Sequence, residues 1–278
     1  MTRTLVFSAI CWILFAACGF SQSETYKVYA LRFKYAGVYS AKNAVVGSSP
    51  TDSVNVCYMI CFLKGDKGHN ILVDAGFLDS TAVNSKTYIR PDLILKDIGL
   101  TPADITDIII THPHYDHING ISLFPQGKIW MQKKDFEYFA VDSWKTENKL
   151  SGFKPEDVRS LMEAALKGRL NLVDGDNIEI LPGITVFTGS KHTMENQYLL
   201  VASDSGKKVL LASDAIWYYL NLNQLAPMEY YVIDPVAYVN AMKRMKTLVT
   251  GDRLIIPGHD NGVFLLFPKV SENVVIIR

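Results

Sequence analysis

The sequence predicts a single α/β domain in which two β-sheets pack together and carry helices on their outer faces. Three observations lead there. Strand-like apolar runs dominate, with helical patterns interspersed among them. No repeat, low-complexity stretch or linker divides the chain. A length of 278 residues also falls within the range that one α/β domain occupies.

The elements follow in order. Tyr26–Phe33 alternates as a strand. Val54–Leu63 and Asn70–Val73 are apolar runs joined by Lys64-Gly65-Asp66-Lys67-Gly68, a hairpin signal. Pro91–Ile98 carries a helical pattern in Leu93, Ile94 and Ile98. Asp104–Thr111 reads as a continuous apolar strand buried on both faces. Lys128–Gln132 is a short strand. Lys133–Val141 and Pro155–Leu166 are helices, the second with proline in its first turn. Ile178–Ile180 and Ile184–Thr188 are strands, and Tyr198–Ala202 pairs with Lys208–Ala212 across Asp204-Ser205-Gly206. Ala237–Lys246 is a helix and Arg253–Ile256 a last short strand.

The first residues stand apart from this domain. Arg3 precedes an apolar run from Leu5 to about Phe20, short for a membrane span and flanked like an export signal. Gly19-Phe20-Ser21 places small residues where a signal peptidase reads, so residues 1–21 are expected to be a leader and 22–278 the folded domain. The expected destination is the periplasm or the medium. A second reading makes Cys18, in Phe15-Ala16-Ala17-Cys18, a lipidated N-terminus and the protein a lipid-anchored one. Cys57 and Cys61 lie four apart in one strand, about 13 Å along it, too far for a bridge. They are expected to be buried small apolar residues.

Composition excludes several classes. Charged residues are 20% and hydrophobic residues 49%, which is neither a disordered chain nor a multi-span membrane protein. Lys plus Arg equals Asp plus Glu at 28 each, so no global basic excess draws nucleic acid. No nucleic-acid partner and no membrane span are expected.

Three of the six histidines fall within six residues, Thr111-His112-Pro113-His114-Tyr115-Asp116-His117, directly after the buried strand. Pro113 biases His112 toward an extended conformation. In an extended segment, residues two apart point the same way, so His112 and His114 can grip one ion. Asp116 and His117 follow where the chain turns toward a helix, and project to another side, where they can hold a second. Nitrogen and oxygen donors at this density suit Zn²⁺ or a similar divalent metal. A solvated His-rich loop is the competing reading, and the buried strand before the cluster weighs against it. His192, Asp214 and His259 each stand at or near the first polar position after an apolar strand, so all can meet along one sheet edge. His69, in the glycine-rich hairpin, is expected to be solvated.

With these residues in view, the sequence resembles the metallo-β-lactamase superfamily over essentially the whole domain, through the His-x-His-x-Asp-His pattern and the separated His, Asp and His after it. The resemblance implies a four-layer αβ/βα sandwich and two divalent metal ions, zinc first. It implies His112, His114 and His192 on one ion, Asp116, His117 and His259 on the other, and Asp214 between them. Asp74, in Leu72-Val73-Asp74-Ala75-Gly76, matches the family's acidic residue that orients a ligand histidine.

Several segments are similar to the N-acyl homoserine lactone lactonases within that superfamily: Tyr26–Phe33, Cys57-Tyr58-Met59-Ile60, Leu95–Ile110, Met131–Tyr138 and Pro257-Gly258-His259-Asp260. The chain also departs from them. Trp217 stands where they often carry a tyrosine three residues after the bridging Asp, with Tyr218 next. Thr193-Met194-Glu195-Asn196 replaces Thr-Pro-Gly-His, and Tyr115 replaces a common Phe. The expected reaction is lactone opening by a metal-bridging hydroxide, with Asp116, Asp214 and Tyr218 as the candidate catalytic residues. Another ester, thioester or phosphodiester is the alternative; a β-lactamase and a non-catalytic metal-binding protein come after it. Trp217-Tyr218-Tyr219 is expected to line a pocket for a small-molecule substrate with an apolar tail. Phe136, Tyr138, Phe139 and Trp144 are expected over the site, in the core or at a homodimer contact.

Overall fold

The computed structural model describes residues 23–78, 86–145 and 152–278. The leader expected over residues 1–21, with Cys18, lies outside the described residues. The first sheet is built from β1 (Tyr26–Ser40), β2 (Ser53–Gly65), β3 (Asn70–Val73), β4 (Asp107–Ile109), β5 (Lys128–Gln132) and β6 (Leu170–Val173). The second holds β7 (Ile178–Leu181), β8 (Ile184–Phe187), β9 (Tyr198–Ala202), β10 (Lys208–Ser213) and β11 (Ile255–Pro257). The last strand, β12 (Val274–Ile277), returns to the first sheet beside β1. The described strands therefore run β12-β1-β2-β3-β4-β5-β6 in a seven-stranded sheet and β11-β10-β9-β8-β7 in a five-stranded one.

The pleat decides the layers. Alternate residues of a strand point to opposite faces. In β2, Cys57, Met59, Cys61 and Leu63 join Leu199, Val201, Val209 and Leu211 of the second sheet in the core between the sheets. Ile60 and Phe62 point the other way, into a core shared with α2 (Lys133–Ala140) and α3 (Pro155–Leu166). On the far side, Leu210 and Ala212 pack with Tyr238, Met242 and Met245 of α5 (Pro235–Leu248). Four layers result: helices, seven strands, five strands, helices. The strand expected over Asp104–Thr111 is shorter, β4 covering Asp107–Ile109; Ile109 faces the inter-sheet core while Ile108, and Ile110 just past the strand, face the helices, which is why Ile108–Ile110 is apolar. Cys57 and Cys61 are free and buried, as expected from their spacing.

Some elements differ from expectation for local reasons. The first strand continues to Ser40 through two register shifts, where bulges let it stay paired with β2 past the apolar segment. Pro91–Ile98 closes only as a 3₁₀ turn over Ile94–Ile98, stopped by Gly99 in the left-handed region. His69 is only partly solvated: its Nδ1 lies 2.5 Å from the carboxylate of buried Glu24, which also accepts from the backbone N–H groups of Lys67 and His69. Among the described residues, no helix is long and apolar enough to cross a membrane.

Candidate metal centre

All seven residues of the expected ligand set converge at one edge of the sandwich. β3, β4 and β5 run parallel, as do β10 and β11, and the site lies where the chain leaves the C-terminal ends of these strands. His112 and His114 lie on the segment that leaves β4, His114 in extended conformation. Asp116 and His117 open α1 (Tyr115–Ile118), a single turn that swings them to a different side. Asp214 follows β10, His259 follows β11, and His192 sits on the loop after β8.

Two donor groups form. His112, His114, His192 and Asp214 offer atoms within 4.8 Å of one another, and so do Asp116, His117 and His259. In the first group His112 Nε2 and His192 Nε2 each lie 3.0 Å from His114 Nδ1, and Asp214 Oδ2 is 3.2 Å from His192 Nε2 and 3.7 Å from His112 Nε2. In the second, Asp116 Oδ2 is 3.4 Å from His117 Nε2 and 3.6 Å from His259 Nε2. Asp214 Oδ1 is 3.3 Å from His117 Nε2 and 3.1 Å from His259 Nε2. Each carboxylate oxygen of Asp214 thus faces a different group. Donors bound tetrahedrally at zinc distances would lie about 3.3 Å apart, close to these separations. His117 Nε2 and Asp214 Oδ1 are buried and have no hydrogen-bond partner. Leaving such atoms unsatisfied costs about 1–3 kcal/mol each, a deficit that a cation at that point removes. The donor set fits two divalent ions.

The outer nitrogens fix which lone pairs face inward. His117 Nδ1 donates to Asp74 Oδ2 at 2.8 Å and His259 Nδ1 donates to the Cys57 carbonyl at 3.1 Å, so in each neutral ring Nε2 carries the free lone pair. His112 Nδ1 meets the Thr111 hydroxyl at 3.0 Å, and that hydroxyl lies 3.0 Å from Asp74. Asp74 also accepts from the Thr111 N–H at 2.8 Å and from the Ser213 hydroxyl at 3.1 Å. It reaches this position in the left-handed region, φ 64°, beside Ser213 at φ 46°. His192 is held through its backbone: its N–H donates to Asn196 Oδ1 at 3.0 Å, which also accepts from Ser190. The adjacent Thr193 hydroxyl and Glu195 N–H both donate to buried Asp135.

Electrostatics separate the two groups. Burial, with the neighbouring imidazoles adding to it, pushes His112 down, and pushes His114 down to about 3. Both are held neutral. Burial opposes charge on His117 and His259 as well, but Asp116 and Asp214 override it and raise both. The same histidines hold Asp116 and Asp214 below the usual carboxylate range against burial.

A cavity of about 170 Å³ opens on the cluster, bounded on its polar side by His114, Asp116, Asp214 and His259 and walled by Tyr58, Tyr115, Trp217, Tyr218 and Tyr231. Trp217 and Tyr218 are in it as expected; Tyr219 is not, and packs into the cores instead. Burial, then Asp214, raises the Tyr218 phenol, so it stays protonated. Phe139 is fully buried and Phe136 and Trp144 pack beside it; Tyr138 reaches the site only through Phe153, which packs 5.2 Å from His114. The sequence offers Tyr115 inside the histidine motif and Tyr58 in a lactonase-like segment, without assigning either to the cavity. Phe153 and Tyr231 lie in segments with no motif around them, so only three-dimensional proximity reveals them.

Residues 50–259 match the Metallo-beta-lactamase superfamily. The chain belongs to the metallo-β-lactamase superfamily. It is 26% identical over 220 residues to the N-acyl homoserine lactonase AiiA of Bacillus thuringiensis subsp. kurstaki, an alignment covering 72% of this chain and 80% of that one. To the N-acyl homoserine lactonase AttM of Agrobacterium fabrum it is 26% identical over 183 residues, covering 64% and 66%. A solved quorum-quenching N-acyl homoserine lactone hydrolase superposes with a TM-score of 0.67 at 24% identity, covering 87% of this chain and 96% of that one. AidC, a dizinc quorum-quenching lactonase, gives 0.63 at 16% identity, covering 86% and 91%. At these identities the structures establish the shared fold, and the four-layer sandwich is the metallo-β-lactamase fold.

Proposed function

We propose that this chain is a dinuclear metallohydrolase of lactonase type that opens lactones of the acyl homoserine class. The observation that carries the reading is the divided carboxylate of Asp214, with Oδ2 3.2 Å from His192 and Oδ1 3.1 Å from His259. The named lactonase relatives support the substrate class.

His112, His114 and His192 would hold one ion, Asp116, His117 and His259 the other, and Asp214 both. Two divalent ions there, zinc first for this nitrogen and oxygen donor set, supply Lewis acidity to the carbonyl and an acidified water. The chain supplies the rest. Asp116 and Asp214 stay ionised and are the cavity's proton acceptors; Asp214 can return a proton to the ring oxygen as it leaves. Tyr218 and Tyr58 stay protonated and are donors for a developing oxyanion. The aromatic wall gives the acyl part an apolar surface to lie against. Water adds to that carbon, the ring C–O bond breaks, and a hydroxy acid leaves.

The test is ring opening by the zinc-loaded protein, followed as acid release. Rapid turnover abolished by a chelator is expected. No turnover of any lactone by a protein carrying two metals would discard the lactone reading and leave other esters. We also propose export through residues 1–21, supported by their apolar run alone. Mass analysis of the protein recovered from cells should find an N-terminus near Gln22; a lipid-modified Cys18 would replace that reading with the anchored one.

A further inference from the structure

The cavity wall is made of rings, and one of them, Tyr231, is set in place by two backbone devices. Trp217 lies across both donor groups, its ring 6.0 Å from His192 and 5.1 Å from His259. Tyr231 stacks on it with centroids 6.0 Å apart and planes at 24°, and turns an edge to His114 at 6.1 Å. Tyr231 is 45% exposed, so burial does little to seat it. Its backbone sits in the left-handed region, φ 60°, which a bulky side chain disfavours. Two residues on, the Ile233 N–H donates to the Lys191 carbonyl at 2.8 Å, tying this loop to the one that carries His192. The cavity measures about 170 Å³.

We propose that this site selects its substrate by a flat ring in the acyl part, seated against the Trp217–Tyr231 pair, and grips a long linear acyl chain poorly. The inference rests on the hydrolase reading above and narrows its substrate class. Aromatic pairs gain from offset or edge contact at centroid distances of roughly 4.5–7 Å, and the Trp217, Tyr231, Tyr58 and Tyr115 rings offer faces and edges along the cavity wall. A flexible chain loses rotamer freedom on binding, and past Tyr231 it meets solvent. The reaction is the same hydrolysis; only the group held beside the carbonyl differs.

The zinc-loaded protein is assayed on phenylacetyl and octanoyl homoserine lactones. The phenylacetyl substrate should have a kcat/KM about tenfold higher. In Tyr231→Leu, which keeps apolar bulk and removes the ring, that advantage should fall to about threefold or less. Binding of phenylacetate and octanoate is measured separately by quenching of tryptophan fluorescence, with Trp217→Phe as the reference. Phenylacetate should quench the protein and not Trp217→Phe, and octanoate should quench neither. Equal rates on the two lactones, a preference for octanoyl, or an unchanged ratio in Tyr231→Leu overturns the proposal. If neither lactone turns over, the lactonase reading fails and the binding titration decides alone: quenching by phenylacetate through Trp217 sustains the ring site, and equal binding of the two acids overturns it.

Discussion

The two donor groups of the candidate metal site are built on different principles. The His112–His114–His192 group is three imidazoles, with His112 and His114 held neutral by burial, and it borrows one oxygen of Asp214. The Asp116–His117–His259 group adds a carboxylate of its own, and both its histidines have their outer nitrogens tied, one to Asp74 and one to the Cys57 carbonyl. The first group is steadied indirectly, His112 through the Thr111 hydroxyl and His192 through its backbone N–H to Asn196. The second carries the anion, and its imidazoles are tied directly, to a carboxylate and to a backbone carbonyl. Asp214 belongs to both, and damage to it should not respect the division.

The largest effect expected is therefore at Asp214. Asp214→Asn should remove metal from both halves and lower kcat/KM by about 10³-fold or more, read by metal analysis and lactone opening together. Full metal content in this variant would erase the shared role. His117→Ala should be narrower. One metal equivalent should remain, in the His112 group, with turnover down by about 10²-fold or more; loss of both ions would mean that the halves are not separable. Asp74→Asn acts at one remove, through His117 Nδ1 and through Thr111 next to His112. It should weaken metal affinity by about 10–100-fold, most at the second half, measurable by competition with a chromogenic chelator.

Gly258 tests geometry rather than charge. A Cβ there would stand 2.6 Å from Asp214 Oδ1 and 2.8 Å from the Ser213 carbonyl carbon. Gly258→Ala should shift the shared carboxylate and lower metal content; wild-type stoichiometry would show that the edge yields more easily than this contact implies. The smallest effect lies outside both halves. Burial raises Asp157 to about 6, against the hydrogen bond it accepts from Asn119. The unfolded chain gives up this proton near pH 4 and the folded chain near 6, so this group's contribution to stability falls as pH rises through that window. Asp157→Asn should flatten melting temperature between pH 4 and 6 without touching metal content; an unchanged pH profile would contradict the assignment.

Much of this was legible in the chain. Pro155–Leu166 and Asn70–Val73 begin and end where pattern, proline and glycine place them, because local signals and tertiary packing agree there. The candidate ligands stand at or within a few residues of the ends of apolar strands, and strand ends gather at one edge in a sandwich of this topology. What the pattern could not show depends on partners far along the chain. β6 and β12 are short strands that exist through their neighbours β5 and β1. α4 (Tyr219–Gln224) is a six-residue helix whose sequence resembles a pocket lining as much as a turn of helix. His69 reads as a loop histidine until Glu24 is placed beside it, 45 residues earlier. Tyr231 reaches the cavity through a left-handed backbone that no propensity predicts.

The central claim is a centre of two ions joined through Asp214, and one titration addresses it most directly. Metal-stripped protein is titrated with zinc while lactone opening and bound metal are followed in the same samples. The account predicts that activity rises with zinc and reaches its plateau at two equivalents per chain. A plateau at one equivalent, or full activity in metal-stripped protein, would contradict it.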